Sequence, residues 1–428
     1  MQRRWKWATG GVMAAAAVGA YLYWFQDWRP SCSDVPSAAE AARWLNAITK
    51  EGDAFKAEYV ACVEFIAIHV GPDPRGEMRD HYPHSGIGVF PESRPPAEDF
   101  AKLVGLPRLN HLSVWLRDSP AGYADALAGS IGRIKTLKRM RWWASGLTDA
   151  GARQFGNLTE IVSIEFNDAT LGDGVEAWSK LPKLSEVRLW STTLGADGVA
   201  RLGDLRTVAE LGIYSSRLTG SLAPVARMPA LRVLTLSRGE IGEEQIASIA
   251  GAPELRYLAV TANKLGARAF AGIAKLPQLV GLNLQGSEIA GGLELLSAAP
   301  KLESVSLMGA KLDDAAGAGL GALRGVKSLW FSESKVGDRT ASALAASPAL
   351  EYLDLGETAV TDEGVRALAK APKLRILHLY KTAVTDAGIA LLAQYPSLRE
   401  VSLQETKGTA AGVAALKAAK PDLVVHFK

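Results

Sequence analysis

From Leu109 to the C-terminus the chain repeats one frame: an aliphatic residue, two variable residues, an apolar one, a variable one and another apolar one. The frame begins at Leu109, Leu137, Ile161, Leu184, Val208, Leu231, Leu255, Leu279, Leu302, Val326, Leu350, Leu374 and Leu398, and Leu423 opens a truncated last copy. After a first interval of 28 residues the thirteen starts lie 23 or 24 apart. Units of that size bury their apolar side only by stacking on like units, so the period predicts a solenoid. A solenoid grows in one dimension, which lets 428 residues fold without outgrowing a single core.

The columns of the repeat assign faces. The fourth position (Leu112, Met140, Ile164, Val187, Leu211, Leu234, Leu258 and onward) and the sixth (Val114, Trp142, Phe166, Leu189, Ile213, Leu236, Val260 and onward) contain no polar residue. Alternation of period two around them makes each frame a short strand with one buried face. The ninth position is a hydroxyl or amide in nine copies, among them Thr192, Ser216, Asn263, Ser287 and Thr382, suited to satisfying backbone groups where the chain leaves the strand. The eleventh is apolar again. Thr361-Asp362 and Thr385-Asp386 then place capping residues before amphipathic stretches, and Pro182, Pro253, Pro277, Pro300, Pro348, Pro372 and Pro396 end them. The expected unit is strand, turn, short helix, turn, giving an α/β horseshoe with a parallel sheet on the concave side and helices on the convex side.

The phrases TAVTDEGVRALAKAPKL from Thr358 and TAVTDAGIALLAQYPSL from Thr382 resemble a bacterial subclass of leucine-rich repeats with a Thr-x-x-Thr-Asp-x-Gly signature. That subclass is related to the repeats of ribonuclease-inhibitor-like and F-box proteins. The resemblance covers about three quarters of the chain and implies the horseshoe fold. It also implies a role in binding other macromolecules, since the family shares no catalytic residues. No F-box-like segment precedes the repeats.

The first hundred residues read differently. Arg3, Arg4 and Lys6 precede an uncharged stretch over 7–25, whose length as a helix is about 28 Å, close to the hydrocarbon thickness of a bilayer. Trp5 and Trp7 at one end and Tyr21, Tyr23, Trp24 and Trp28 at the other resemble interfacial aromatics. Residues 1–28 are therefore expected to be a signal-anchor, with a cleaved signal peptide as the alternative. Either places the repeats outside the cytoplasm, in the periplasm, on the cell surface or secreted. Residues 29–58 are a linker and helical cap, with a helix over 37–49 presenting Ala41, Trp44, Leu45 and Ile48. Residues 59–108 are two degenerate repeats, the first framed by Val60, Val63 and Phe65, the second by His84, Ile87 and Val89, with 71–83 replacing the first helix. Residues 109–428 are the regular solenoid. Cys32 and Cys62, an even pair in an exported chain, are a disulfide candidate.

Function is sought on the outward strand positions. The seventh position carries Trp115, Trp143, Asn167, Trp190 and Tyr214, with Arg141, Glu165 and Arg188 beside it at the fifth and His111, Arg139, Glu186 and Glu210 at the third. Aromatic and Arg clusters of this kind compose interface hot spots. A second patch comprises Trp330, Tyr352, Asp354, His378, Tyr380 and Lys381, in which Asp354 and His378 occupy matching positions and a surface hydrogen bond between them is expected. Packing of the rings on one another, or under the longer insertion over 117–135, is the alternative.

Catalysis finds little support. The six histidines are dispersed, no nucleophile lies near Asp354 and His378, and His81 and His84 near Glu77 and Asp80 fit a polar loop better than a metal site. No phosphate-cradling glycine loop appears, so no cofactor is expected. A formal charge of +3, from 48 basic and 45 acidic residues, argues against nucleic acid. The expected activity is non-enzymatic binding of a protein or peptide through the concave face, with glycan stacking as a variant. A structural or adhesive envelope component, and a cytosolic inhibitor or adaptor of the ribonuclease-inhibitor kind, are the alternatives.

Overall fold

Each frame is a strand, and the strands lie side by side in parallel register. The computed structural model describes residues 35–49, 63, 65–70, 86–89, 95–116, 119–239 and 241–427. Within them β3 (His111–Leu116), β4 (Arg139–Leu147), β5 (Ser163–Leu171) and β6 (Glu186–Trp190) open a ladder that runs to Val424–His426. Leu112 pairs with Met140, Met140 with Ile164 and Ile164 with Val187, and the column continues through Leu234, Leu258 and Leu282. Fourth and sixth positions are buried throughout, in one continuous core from Ala38 to Leu423. Short second strands such as Thr193–Leu194 and Arg217–Leu218 pair at the eleventh position and bury Leu194 and Leu218.

The ninth position works as its chemistry suggests. Thr192 Oγ1 donates to Trp190 O (3.0 Å), and Thr192 N donates to Ser216 Oγ (3.0 Å) in the next repeat. Ser287 Oγ donates to Val260 O (2.8 Å), and Asn263 Nδ2 to Thr261 O (2.9 Å). These side chains pair backbone groups that the turn would otherwise leave buried and unsatisfied.

The Thr-Asp-x-Gly phrase is a clamp between repeats. Thr361 and Thr385 cap their own helices by accepting from Glu363 N and Ala387 N. The preceding aspartate reaches across: the Asp338 carboxylate accepts from Thr361 N (2.8 Å), Thr361 Oγ1 (2.6 Å) and Gly364 N (3.0 Å). Asp362 does the same for Thr385, and Asp386 for Thr409. First-turn N–H groups lack intrahelical acceptors, so a carboxylate there serves both hydrogen bonding and the helix dipole. Glycine follows because a Cβ on Gly364 would lie 2.6 Å from Asp338 Oδ1.

The N-terminal end departs from the expected repeat order. Helix α1 (Val35–Thr49) buries Ala41, Trp44 and Leu45, and Trp44 meets Phe100 edge-on at 5.2 Å. Strand β1 (Phe65–Val70), however, pairs directly with β3, placing Ile66 beside Leu112 and Ile68 beside Val114. The frame is thus Val63, Ile66 and Ile68, three residues later than the one built on Val60, Val63 and Phe65. An odd slip exchanges the faces of a strand, and only this register puts isoleucines inward. Strand β2 (Gly86–Val89) does pair Ile87 with Ile66 and Val89 with Ile68, but on the outer edge of β1. The two strands are therefore not successive in the sheet: β1 stands between β2 and β3, and the helical turn Ala97–Gly105 precedes β3 in the chain. Cys32, Cys62, Val60, His81, His84, the stretch 71–83 and the hydrophobic stretch 7–25 lie outside the described residues. Among the described residues no helix is long and apolar enough to cross a membrane.

Candidate binding face on the concave sheet

Strand pairing aligns the seventh positions of β3 to β6 and of Glu210–Tyr214 in one row: Trp115, Trp143, Asn167, Trp190, Tyr214. The rings do not stand free. Trp115 and Trp143 stack at 4.2 Å and 16°, Trp190 and Tyr214 at 3.9 Å and 12°, and all four are half-buried. Asn167 separates the two stacks. Gly212 makes the second possible, since a Cβ there would fall 2.5 Å from Tyr214 Cε2. The helix of the segment after β3, Tyr123–Ile131, packs on the convex side against Ala97–Gly105 and the helix Asp149–Gln154.

Beside the rings runs a ladder of alternating charge, because the fifth positions Arg141, Glu165 and Arg188 lie on adjacent strands. Arg141 Nε is 3.4 Å from Glu165 Oε2, and Arg188 is paired with Glu186 and lies 4.0 Å from Glu210. Burial pushes the Glu165 carboxyl above its usual range, against the pull of Arg141 and Arg188. His111 is driven down to about 4, by burial first and then by Arg141 and Arg139. The sequence-predicted cluster of Trp115, Arg141, Trp143, Glu165, Arg188, Trp190 and Tyr214 is one contiguous surface.

The second patch assembles with one exception. Trp330 and Tyr352 meet at 5.1 Å, Tyr352 and His378 edge-on at 5.3 Å, and His378 and Tyr380 at 6.5 Å. Lys381 Nζ donates to Glu357 Oε1 (3.0 Å). Asp354 is buried rather than at the surface, and its Oδ1 accepts from Gly356 N (2.9 Å). The expected surface bond to His378 is therefore replaced: His378 Nδ1 lies 3.2 Å from Tyr352 Oη. The turn after the strand has a free N–H two residues on, and an aspartate satisfies it locally. Among the described residues no group of three or more His, Cys, Asp or Glu side chains could hold a metal ion.

A family profile described as "Leucine Rich repeat" matches residues 346–369. An internalin of Listeria monocytogenes superposes with a TM-score of 0.52 at 14% identity, covering 92% of this chain and 97% of that one. The fold is a leucine-rich-repeat solenoid. A leucine-rich-repeat protein of Leptospira interrogans gives a TM-score of 0.49 at 15% identity, covering 76% of this chain and 92% of its own. The mouse RP105/MD-1 complex gives 0.48 at 14% identity, covering 78% and 68%. No curated protein matches the chain.

Sequence reading passed over the middle of this leucine-rich-repeat sheet. Between the two aromatic groups the outward residues are short, and a shallow hollow of about 190 Å³ opens over Ala259, Gly281, Asn283 and Ser306. Tyr257, 52% exposed, and Trp330 stand at its rims. Tyr257 lies across Gly281, where a Cβ would come within 2.7 Å of its Cδ1. The signal available in the sequence was a run of strands whose outward positions carry no charge. No conspicuous side chain marks it.

Proposed function

We propose that this chain is a non-enzymatic scaffold that recognises a protein or peptide partner through the concave face, with the N-terminal strands as the main contact. One observation carries the reading: four large rings and an alternating Arg/Glu ladder share a single exposed sheet face, the composition of interface hot spots. Crosslinking from intact cells followed by mass spectrometry supplies the partner set, and Trp143→Ala with Trp190→Ala tests the face. Capture should fall at least tenfold while the circular dichroism spectrum stays that of the native solenoid. Undiminished capture of the same partners by the double variant refutes the assignment.

The mutual stacking of the rings favours one alternative, a structural or adhesive envelope component in which no hot spot exists. Single substitutions across the concave face would then leave cell-surface phenotypes unchanged. Localisation belongs to the same proposal. Residues 7–25 are read as an anchor that holds the repeats outside the cytoplasm, or as an export signal removed on secretion. Cell fractionation with carbonate extraction separates the two, and soluble cytosolic protein with an intact N-terminus would overturn both.

A further inference from the structure

The central hollow differs from its surroundings in charge as well as in depth. At the third, fifth and seventh frame positions, every strand from Val233–Ser237 to Ser328–Trp330 is uncharged. To one side stand Arg188 and Glu210, while at the eighth position, outside the lining of the hollow, Arg238 and Glu333 flank it and Glu357 and Lys381 follow. A charge seated in the hollow would lose hydration with no countercharge on the floor, which disfavours it. The occupant is therefore neutral where it touches the floor.

Size and lining narrow it further. About 190 Å³ falls below the roughly 300–1,000 Å³ typical of sites that enclose a whole small ligand, so the hollow takes one group rather than a molecule. Tyr257 and Trp330 are three strand spacings apart, about 14 Å, wide enough for a ring to lie between them. The lining is mainly apolar around Ala259 and Gly281, with the short hydroxyl side chains Thr235, Ser304 and Ser306 and the amide of Asn283 among it. Asn283 has its amide oxygen engaged by Gln285 N (3.0 Å), leaving its Nδ2 donor for a carbonyl or hydroxyl.

We propose that the hollow is an anchor pocket for one uncharged aromatic side chain carried by the polypeptide partner. Its ring lies between Tyr257 and Trp330, and the Asn283 amide donates to a partner carbonyl or hydroxyl. The proposal rests on the scaffold reading above and adds the chemistry of the residue the partner must present. A monosaccharide carries more hydroxyls than the few short polar side chains of this lining would pair, and a glycoside probe decides between the two.

Fluorine NMR of the full chain carrying fluorotryptophan tests this, with the Trp330 resonance assigned from Trp330→Phe. The probes are N-acetyl-tyrosinamide and N-acetyl-phenylalaninamide, against the lysine and glutamate amides and methyl glucopyranoside. The expected result is a saturable shift of Trp330 with the aromatic amides alone, lost in Ala259→Phe, whose new ring fills the hollow from a partly exposed position. Absence of a Trp330 shift up to the solubility limit of the aromatic amides overturns the proposal. So does a shift with the glycoside or a charged amide as large as that with the aromatic ones, or one that survives Ala259→Phe. A silent Trp330 alongside partner capture that still depends on Trp143 and Trp190 removes the pocket and spares the scaffold. A responsive Trp330 alongside capture indifferent to those tryptophans removes the N-terminal face and spares the pocket.

Discussion

In β3 to β6 and Glu210–Tyr214 the outward side chains are long and meet one another: two ring stacks, and arginines paired with glutamates. In Tyr257–Thr261, Gly281–Asn283 and Ser304–Ser306 they are mostly short, and the one large ring, Tyr257, is half in solvent. Backbone and pairing are the same in both stretches. Conspicuous side chains use part of their contact area on each other, while small ones leave shape unused. The first stretch is a preorganised raised surface, the second a receptor for something raised.

The largest effect expected from this contrast is on stability. Trp143→Ala with Trp190→Ala breaks both stacks, each worth about 0.5–1.5 kcal/mol beyond the area it buries, so the pair should cost about 2–4 kcal/mol in urea denaturation. Tyr257→Ala should stay within about 0.5 kcal/mol. Trp190→Phe should be close to neutral, because it keeps a ring over Tyr214 and removes a buried indole N–H that has no acceptor among the described residues. Equal losses for Trp190→Ala and Tyr257→Ala would erase the distinction between the two stretches.

Much of this was legible in the sequence, for a definable reason. The fourth- and sixth-position columns are constrained by burial on both sides, so periodicity alone fixed that Leu234, Leu258 and Leu282 lie one above the next. The row Trp115, Trp143, Trp190, Tyr214 followed from the same register. Their pairing did not, because ring orientation depends on Gly212 and Asn167 as much as on the rings. At the N-terminus Val63 is apolar in either of two frames, and Ile87 and Val89 fit the ladder wherever β2 sits along it. Sequence therefore gave the match of residues and left the order of strands undetermined. The hollow was invisible for the opposite reason: its floor is defined by side chains that are small.

The second effect separates the stretches by pH. The His111 imidazole titrates near 4 in the fold against 6.5 unfolded, so the folded chain binds fewer protons than the unfolded one between those values. Stability is then retained above pH 6.5 and lost as pH falls toward 4. Glu165 is shifted upward and acts with opposite sign, lending stability as it takes up its proton. His111→Gln should remove the histidine contribution alone, flattening the acid loss by about 1–2 kcal/mol once solvent screening of a part-exposed group is allowed for. Superimposable stability–pH curves for variant and parent would place the histidine in a solvated setting.

A third, smaller difference is in salt. Partner capture through the Arg141, Glu165 and Arg188 ladder should weaken about threefold between low and high ionic strength, since exposed ion pairs are screened. Aromatic-amide binding at Trp330 should not weaken, having no charge to screen. Parallel titrations at several salt concentrations measure both, and a common slope would mean that one electrostatic surface serves both stretches.

The smallest effect tests the turns that carry the sheet's outward rows. At the eighth frame position the chain adopts a left-handed conformation: Ser191, Ser215, Arg238, Ala262, Glu333, Glu357, Lys381 and Glu405 all have φ between 47° and 64°. In the centre the same place is filled by Gly286 (φ 66°) and Gly309 (φ 60°). Alanine has neither glycine's freedom there nor a polar group to bond locally, so Ala262 holds this conformation at a cost of about 1 kcal/mol. Ala262→Gly relieves that strain but adds entropy to the unfolded chain, leaving a net gain of about 0.5 kcal/mol in urea denaturation. Gly286→Ala, the reverse change one repeat on, should lose a similar amount. If both substitutions shift stability in the same direction, the turn conformation is set by neighbouring packing rather than by the residue that occupies it.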